Sequence, residues 1–263
     1  MSSLNWRTKS IKSSTCKNNT SCIYVPPTMP DTYVPSTLTR STFTTVGNNT
    51  WTAPAYVTSV EYLVVGGGGG GGGAYDNGGA GGGGGGVVLT GTKTVVPGQT
   101  YNIIVGDGGA GGESRSSYEG LGPAYEYDGN KGSSSNFDSI FADGGGYGSR
   151  SRGTIAGSGT KVNGTIASFG GNGGGGGYAG YGGGGNSANG SGINGGAGFT
   201  STISGSSVEY GRGGNGNSNG SNSNGSAGTP YTGNGGQGGG AASGNHGYGG
   251  KGGSGIVILK YYV

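Results

Sequence analysis

A mainly β fold with little or no helix is expected for this chain: a small β framework carrying a bundle of packed polyglycine-II helices. Three observations predict it. Strand-forming runs lie near 42–65, 87–105 and 255–263. Glycine supplies 74 of the 263 residues and comes in unbroken runs between them. No stretch carries an apolar period near 3.6 residues over a useful length.

Residues 1–40 read as an extended basic arm. Arg7, Lys9, Lys12, Lys17 and Arg40 face only Asp31, a balance of +4. Pro26, Pro27, Pro30 and Pro35 keep CIYVPPTMPDTYVPS extended and poor in internal hydrogen bonds. The arm is either a free tail or an anchor that orders on a partner. Ile23, Tyr24, Val25, Tyr33 and Val34 are its candidate sticky residues. Cys16 and Cys22 enclose five residues and read as two reduced thiols or as a small disulfide loop.

Residues 41–263 read as one glycine-rich domain. TFTTVGNNTWTAPAYVTSVEYLVV holds two strands and a turn, rich in β-branched and aromatic residues. Two glycine runs follow, 66–73 and 81–86, joined by AYDNGG. VVLTGTKTVVPGQTYNIIVGDGG adds further strands, with Pro97-Gly98 as a turn. The middle repeats a loose unit three times, at 133–148, 163–177 and 199–216: a short β-prone piece, then glycines with Asn or Tyr. GIVILKYYV, 255–263, ends the chain as a strong strand able to close the domain.

Can polyglycine be an interior? Collagen fails, because it needs glycine at every third residue and abundant proline, and here only 8 prolines occur. Polyglycine-II fits better. Its segments have three residues per turn and point their N–H and C=O groups outward, so neighbours can bond side by side. Eight glycines would span roughly 25 Å at 3.1 Å per residue. Fixing a residue costs about 1–2 kcal/mol, and a hydrogen bond returns about 0.5–1.5 kcal/mol net. A lone glycine helix therefore melts, and the bundle needs the strands to hold its ends.

Composition narrows the function classes. Val, Ile, Leu and Phe total 38, which favours disorder, but only 25 charged residues and 17 Tyr point instead to dense polar packing. Beyond residue 40 there are 9 basic and 10 acidic side chains, so no basic nucleic-acid surface is expected. Residues 1–30 lack the apolar core of a secretory signal, and no window is long enough to span a membrane. GDGGAG at 106–111 fits G-x-G-x-x-G, yet GESRSSYEGLGP after it cannot form the helix a nucleotide site demands. The single RGG at 212–214 is compositional, and so are the seven N-x-S/T sequons. One His, His246, leaves no metal cluster and no nucleophile relay. Carboxylate pairs such as Asp138 and Asp143, or Glu126 and Asp128, read as solvated loop groups. No enzyme and no cofactor are expected.

The order of TFTTVGNNTWTAPAYVTSVEYLVVGGGGGGGG (42–73), GGVVLTGTKTVVPGQTYNIIVGDGGAGG (85–112), GSSSNFDSIFADGGG (132–146) and GGKGGSGIVILKYYV (249–263) resembles the glycine-rich domain of bacteriophage tail fibres and adhesins and of large-virus proteins. The resemblance covers about residues 41–263. It implies a β base carrying a polyglycine-II bundle whose distal loops vary and contact a host surface. The expected protein is thus a virion component without enzymatic activity, made in a host cytoplasm. Residues 1–40 would dock it to fibre, tail or capsid proteins, and its loops would meet a host glycan or protein. An oligomer is compatible with this design. A capsid or filament subunit without a receptor role is the alternative, and an ice-binding bundle is another.

Loop 113–131, ESRSSYEGLGPAYEYDGNK, is the longest interruption of the glycine pattern. Tyr118, Tyr125 and Tyr127 with Arg115 make it the leading recognition candidate, since tyrosine gives contact area at low entropic cost. Tyr147, Arg150, Arg152, Tyr178 and Tyr181 could extend that surface, or the tyrosines could simply cover glycine helices.

Overall fold

Sixteen short strands build the domain in the computed structural model, which describes residues 37–115, 125–151, 159–160, 166–167, 179–218 and 220–263. Ile23, Tyr24, Val25, Tyr33, Val34, Cys16 and Cys22 lie outside the described residues. In chain order the longer strands are β1 (Leu38–Phe43), β2 (Gly47–Thr52), β3 (Ser59–Val65), β5 (Val88–Thr94), β6 (Thr100–Val105) and β16 (Ile256–Tyr262). Between them lie short pieces: β4 (Ala74–Tyr75), β7 (Ser114–Arg115), β8 (Tyr125–Glu126), β9 (Ser135–Phe137) and β10 (Ile140–Ala142). The others are β11 (Gly159–Thr160), β12 (Ile166–Ala167), β13 (Phe199–Ser201), β14 (Val208–Tyr210) and β15 (His246–Gly247). No helix occurs among the described residues, so the fold is mainly β, as the sequence predicts.

Two four-stranded antiparallel sheets form the base, ordered β1-β16-β3-β5 and β10-β9-β6-β2. The C-terminal strand sits inside the first sheet, so it does close the domain. β1 begins at Leu38, which puts the last residues of the sequence-predicted arm in the base. The segment 42–65 holds the end of β1 and two more strands, one strand more than the two read from the sequence. Pro97-Gly98 forms the expected turn. Gln99 N–H donates to Val96 O at 3.0 Å, and Gly98 takes a φ of 78° that other residues resist.

Alternation along β3 splits the core. Val60 and Val64 join Val257, Leu259, Ile103 and Phe137 between the sheets. Trp51 anchors this layer, with ring centroids 5.4 Å from Tyr261 and 5.9 Å from Tyr101. Leu63 and Val65 point the other way. They pack with Ile256 and Ile258 beneath the β13–β14 hairpin, which adds Ile203 and Tyr210. Burial pushes the Tyr210 phenol above its ordinary value. The repeat units at 133–148 and 199–216 are thus a β-hairpin followed by a glycine segment; most of the unit at 163–177 lies outside the described residues.

Six base strands run straight into glycine segments. β3 continues as 66–73, β6 as 106–113 and β10 as 143–151. In the other direction, 80–87 leads into β5, 127–134 into β9 and 247–255 into β16. The run 66–73 lies at the centre, and its bonds repeat every third residue. The N–H groups of 66, 69 and 72 donate to the carbonyls of Val87, Gly84 and Gly81. Those of 67, 70 and 73 donate to Ser133, Asn130 and Tyr127, and those of 68 and 71 to Gly253 and Gly250. Its carbonyls accept with the same period. Gly145, Gly148 and Ser151 donate to 67, 70 and 73; Gly109 and Gly112 donate to 68 and 71; Gly236 and Gly239 donate to 69 and 72.

Six neighbours therefore surround one glycine run, with N···O distances of 2.7–3.1 Å. Three run antiparallel and accept from it; three run parallel and donate to it. The three-residue repeat is the one a three-per-turn extended helix requires. Segment 80–87 is embedded in the same way, bonding to 143–149, 181–184 and 233–239 through its N–H groups. The GDGGAG stretch is spent on packing, because side chains at Gly108 and Gly111 would collide with the 249–252 backbone.

An added Cβ at Gly69 would lie 1.9 Å from Gly146 O, far inside any van der Waals contact. Gly69→Val should therefore destabilise the domain by about 1–3 kcal/mol or more, read as a lower midpoint in denaturant. Ala110→Ser, at an exposed position of the same bundle, should stay within about 0.5 kcal/mol. Equal midpoints for Gly69→Val and the native chain would refute the close-packed interior.

Candidate functional site at the distal tip

The glycine segments carry the chain about eight residues away from the base, and the connections at their far ends form a tip. Two ribbons organise it. β4 pairs with β15, placing Tyr75 opposite His246, and β7 pairs with β8, placing Arg115 opposite Tyr125. Ser114 Oγ donates to Ala74 O at 2.6 Å and ties the ribbons together. Asp76 sits in the 75–78 turn, accepting from Gly244 N–H at 3.1 Å and donating its own N–H to Asn245 O. His246 and Tyr248 meet edge to face at 5.4 Å.

The sequence-predicted loop 113–131 contains β7 and β8. Its ends are paired, and Tyr118 lies outside the described residues with 116–124. Arg115 and Tyr125 are cross-strand partners in the backbone ladder. Tyr127 is 53% exposed at the head of the 127–134 segment. Arg150 is exposed on the adjoining segment, and its N–H donates to Asp128 Oδ1 at 2.8 Å. Tyr147, half-buried, is one three-residue step below Arg150. Tyr181, 55% exposed, stands on a different flank, where its carbonyl accepts from Gly82. Arg152 and Tyr178 lie outside the described residues. Tyr127, Tyr147 and Arg150 thus share adjacent segments, whereas Tyr181 does not join them.

Sequence reasoning missed His246, Tyr248 and Asp76, whose only signal is that each interrupts a glycine run. It also assigned the abundant asparagine no packing role, and the bundle rim gives several of these residues one. At the rim a backbone N–H has no further segment to meet, and a side-chain carbonyl closes it instead. Asn234 Oδ1 accepts from Arg212 N–H at 2.9 Å, and Asn215 Oδ1 from Gly195 N–H at 2.8 Å. Asn224 serves Tyr248 at 3.0 Å and Asn222 serves Ala242 at 2.8 Å. Gln237 does the same for Ser226 at 3.3 Å. Deeper in, buried Asn186 accepts from Val88 N–H at 3.0 Å and donates to Gly86 O and Gly211 O, stitching a glycine run to β5.

Several charged groups are paired at the surface. Lys93 lies 2.9 Å from Asp138, and its hydrogen bond holds that carboxyl below its ordinary value. Lys251 meets Asp107 at 2.8 Å and Lys260 meets Glu61 at 2.7 Å. An open concavity of about 520 Å³ lies over the second sheet, lined by Asn48, Thr50, Asn102, Ile104, Asn136 and Asp138. It contains none of the sequence-predicted recognition residues. Among the described residues no group of three His, Cys, Asp or Glu could hold a metal, and no helix is long and apolar enough to cross a membrane.

A two-sheet β base, a hydrogen-bonded glycine array and a tip of short two-stranded ribbons define a class of glycine-built β scaffold. The chain itself belongs to a known family within that class: the glycine-rich domain family, whose profile matches residues 44–262. No curated protein matches it.

Asn234→Ala should leave the Arg212 amide without its carbonyl partner. Hydrogen exchange at Arg212 should accelerate while Gly236, bonded to the central run, stays protected. The expected loss of stability is about 0.5–1.5 kcal/mol. Unchanged exchange at Arg212 would remove the rim-closing role.

Proposed function

We propose that the protein is a non-enzymatic virion structural component, of fibre, tail or capsid surface, that displays tip loops for host attachment. One observation supports this reading: the chain enters the domain on the side of the base away from the tip ribbons. Thr37 and Val263 exchange two backbone hydrogen bonds of 3.0 Å at the far side of the base. Residues 1–36 therefore join the domain at the end opposite the tip. An anchor at one end and short ribbons at the other, held apart by glycine segments, is the layout of a display module. We read those segments as polyglycine-II helices, on the three-residue repeat of their bonds.

The arm 1–40, with Ile23, Tyr24, Val25, Tyr33 and Val34, docks to other virion proteins. The hairpin carrying Arg115, Tyr118, Tyr125 and Tyr127, with Tyr147 and Arg150 beside it, meets a host glycan or protein. Arg152 and Tyr178 extend that surface, while Tyr181, on a different flank, is not part of it. The protein is made in a host cytoplasm and ends in the particle.

Replacing Tyr118, Tyr125 and Tyr127 together by Ala should lower host adsorption of assembled particles about tenfold or more, as expected when aromatic anchors are lost. Particle yield should not change. Unaltered adsorption would remove the receptor role and favour a purely structural subunit, and burial of the tip against neighbouring subunits in an image of the particle would do the same.

A further inference from the structure

Asn-Gly is the dipeptide most open to self-inflicted chemistry, because glycine puts no side chain in the way of its own nitrogen. The nitrogen of the glycine, once deprotonated, attacks the asparagine Cγ. A five-membered succinimide forms as the new N–C bond closes, and the side-chain nitrogen leaves as ammonia. Water then opens the ring at either carbonyl, giving aspartate or isoaspartate. No oxidant, reductant or enzyme enters the balance.

This chain is rich in Asn-Gly, and the bundle treats its copies unequally. At Asn234 the nucleophile and the target are both tied down: Gly235 N–H donates to Arg212 O at 2.8 Å while Asn234 Oδ1 accepts from Arg212 N–H. Asn224 is held in the same way on Tyr248, with Gly225 N–H donating to Tyr248 O at 2.7 Å. Asn215 is held across two residues, with Gly216 N–H donating to Ile193 O at 2.8 Å and Oδ1 accepting from Gly195. Ring closure at these three positions requires a rim bond on each side to break first.

Asn77-Gly78 at the tip has no such clasp. Asn77 is exposed and sits in a tight turn with a φ of 56°, after Asp76 at 43°. Among the described residues neither its amide nor the Gly78 N–H has a hydrogen-bond partner. Asn189-Gly190, on the exposed turn after the 180–185 segment, shares this freedom among the described residues.

We propose that Asn77, and after it Asn189, are sites of spontaneous deamidation, while the rim clasps protect Asn215, Asn224 and Asn234. Conversion at Asn77 places a second carboxylate beside Asp76, whose Oδ1 holds Gly244. The tip thereby gains negative charge with age while the scaffold does not.

The test is peptide mapping by mass spectrometry after prolonged incubation of the full chain in warm, mildly alkaline buffer. Aspartate and isoaspartate should accumulate at Asn77 about tenfold or more faster than at Asn215, Asn224 or Asn234, since one intact bond of 1.4 kcal/mol is worth that factor. Asn189 should fall nearer Asn77 than the rim positions. In denaturant the difference should vanish. Equal rates in the folded protein would overturn the proposal. So would a difference that survives unfolding, because it would then belong to neighbouring residues and not to the clasps.

Discussion

The structure depends on one interaction: a glycine N–H meeting a glycine carbonyl on a neighbouring segment, with nothing between the two backbones. Around 66–73 this contact is made in six directions, three by donors and three by acceptors. A sheet strand bonds in only two directions. The extra four become available because no side chain occupies them, and an added Cβ at these positions would strike a carbonyl oxygen or its carbon. Each bond is weak net, and each ordered glycine loses more freedom than any other residue. The array survives because its ends are already ordered. Six strands of the base continue into the segments, so their spacing and register are inherited from a hydrophobic sandwich built around Trp51, Val64 and Leu259. The core holds the strands, and the strands hold the glycines.

An array of this kind has the problem of any sheet edge, multiplied. An outer segment left to itself would present a row of unpaired N–H groups that could recruit another extended chain. Charged side chains would repel such partners, but this body is charge-poor. The rim asparagines answer in a different way. An Asn on one segment reaches sideways and fills the bond that a missing neighbour would have made, as at Arg212, Gly195 and Tyr248. That gives the asparagine content a physical cause, one that a tally of sequons hides.

Much of the fold was legible from the residues, and the limits have clear causes. The strands at 59–65, 88–105 and 256–262 announce themselves through β-branched and aromatic side chains, as does the Pro97-Gly98 turn. The need for a base under the glycines follows from entropy alone. Which run lies at the centre does not follow, because glycines carry no side chain to mark inside from outside. That choice is made by the order β1-β16-β3-β5, in which β3 alone lies between two strands that both adjoin glycine segments, and so centres 66–73. The tip was half legible. Loop 113–131 stood out by its tyrosines and does arise from a hairpin, Arg115 opposite Tyr125. The pairing of Tyr75 with His246 was invisible, because it joins two-residue strands far apart in the chain. So was the sorting of Tyr181 onto another flank, which depends on where 179–185 docks against 80–87.

Backbone-to-backbone bonding also separates the scaffold from whatever its ends do. In a conventional core, a loop substitution is felt through packed side chains that interlock with their neighbours. Here the interior is made mostly of atoms every residue shares, and the main demand on sequence is the absence of a Cβ. The connections at 74–79 and 241–246 and the strand residues Ser114 and Arg115 are tied to one another by main-chain bonds and a few polar side chains such as Ser114 and Asp76. Distant, unshared contacts of this kind contribute nearly additively to stability. Loops can therefore change in length and chemistry at the tip without repacking anything below them. Polyglycine, the least likely interior by composition, is what makes that separation of scaffold and tip physically available.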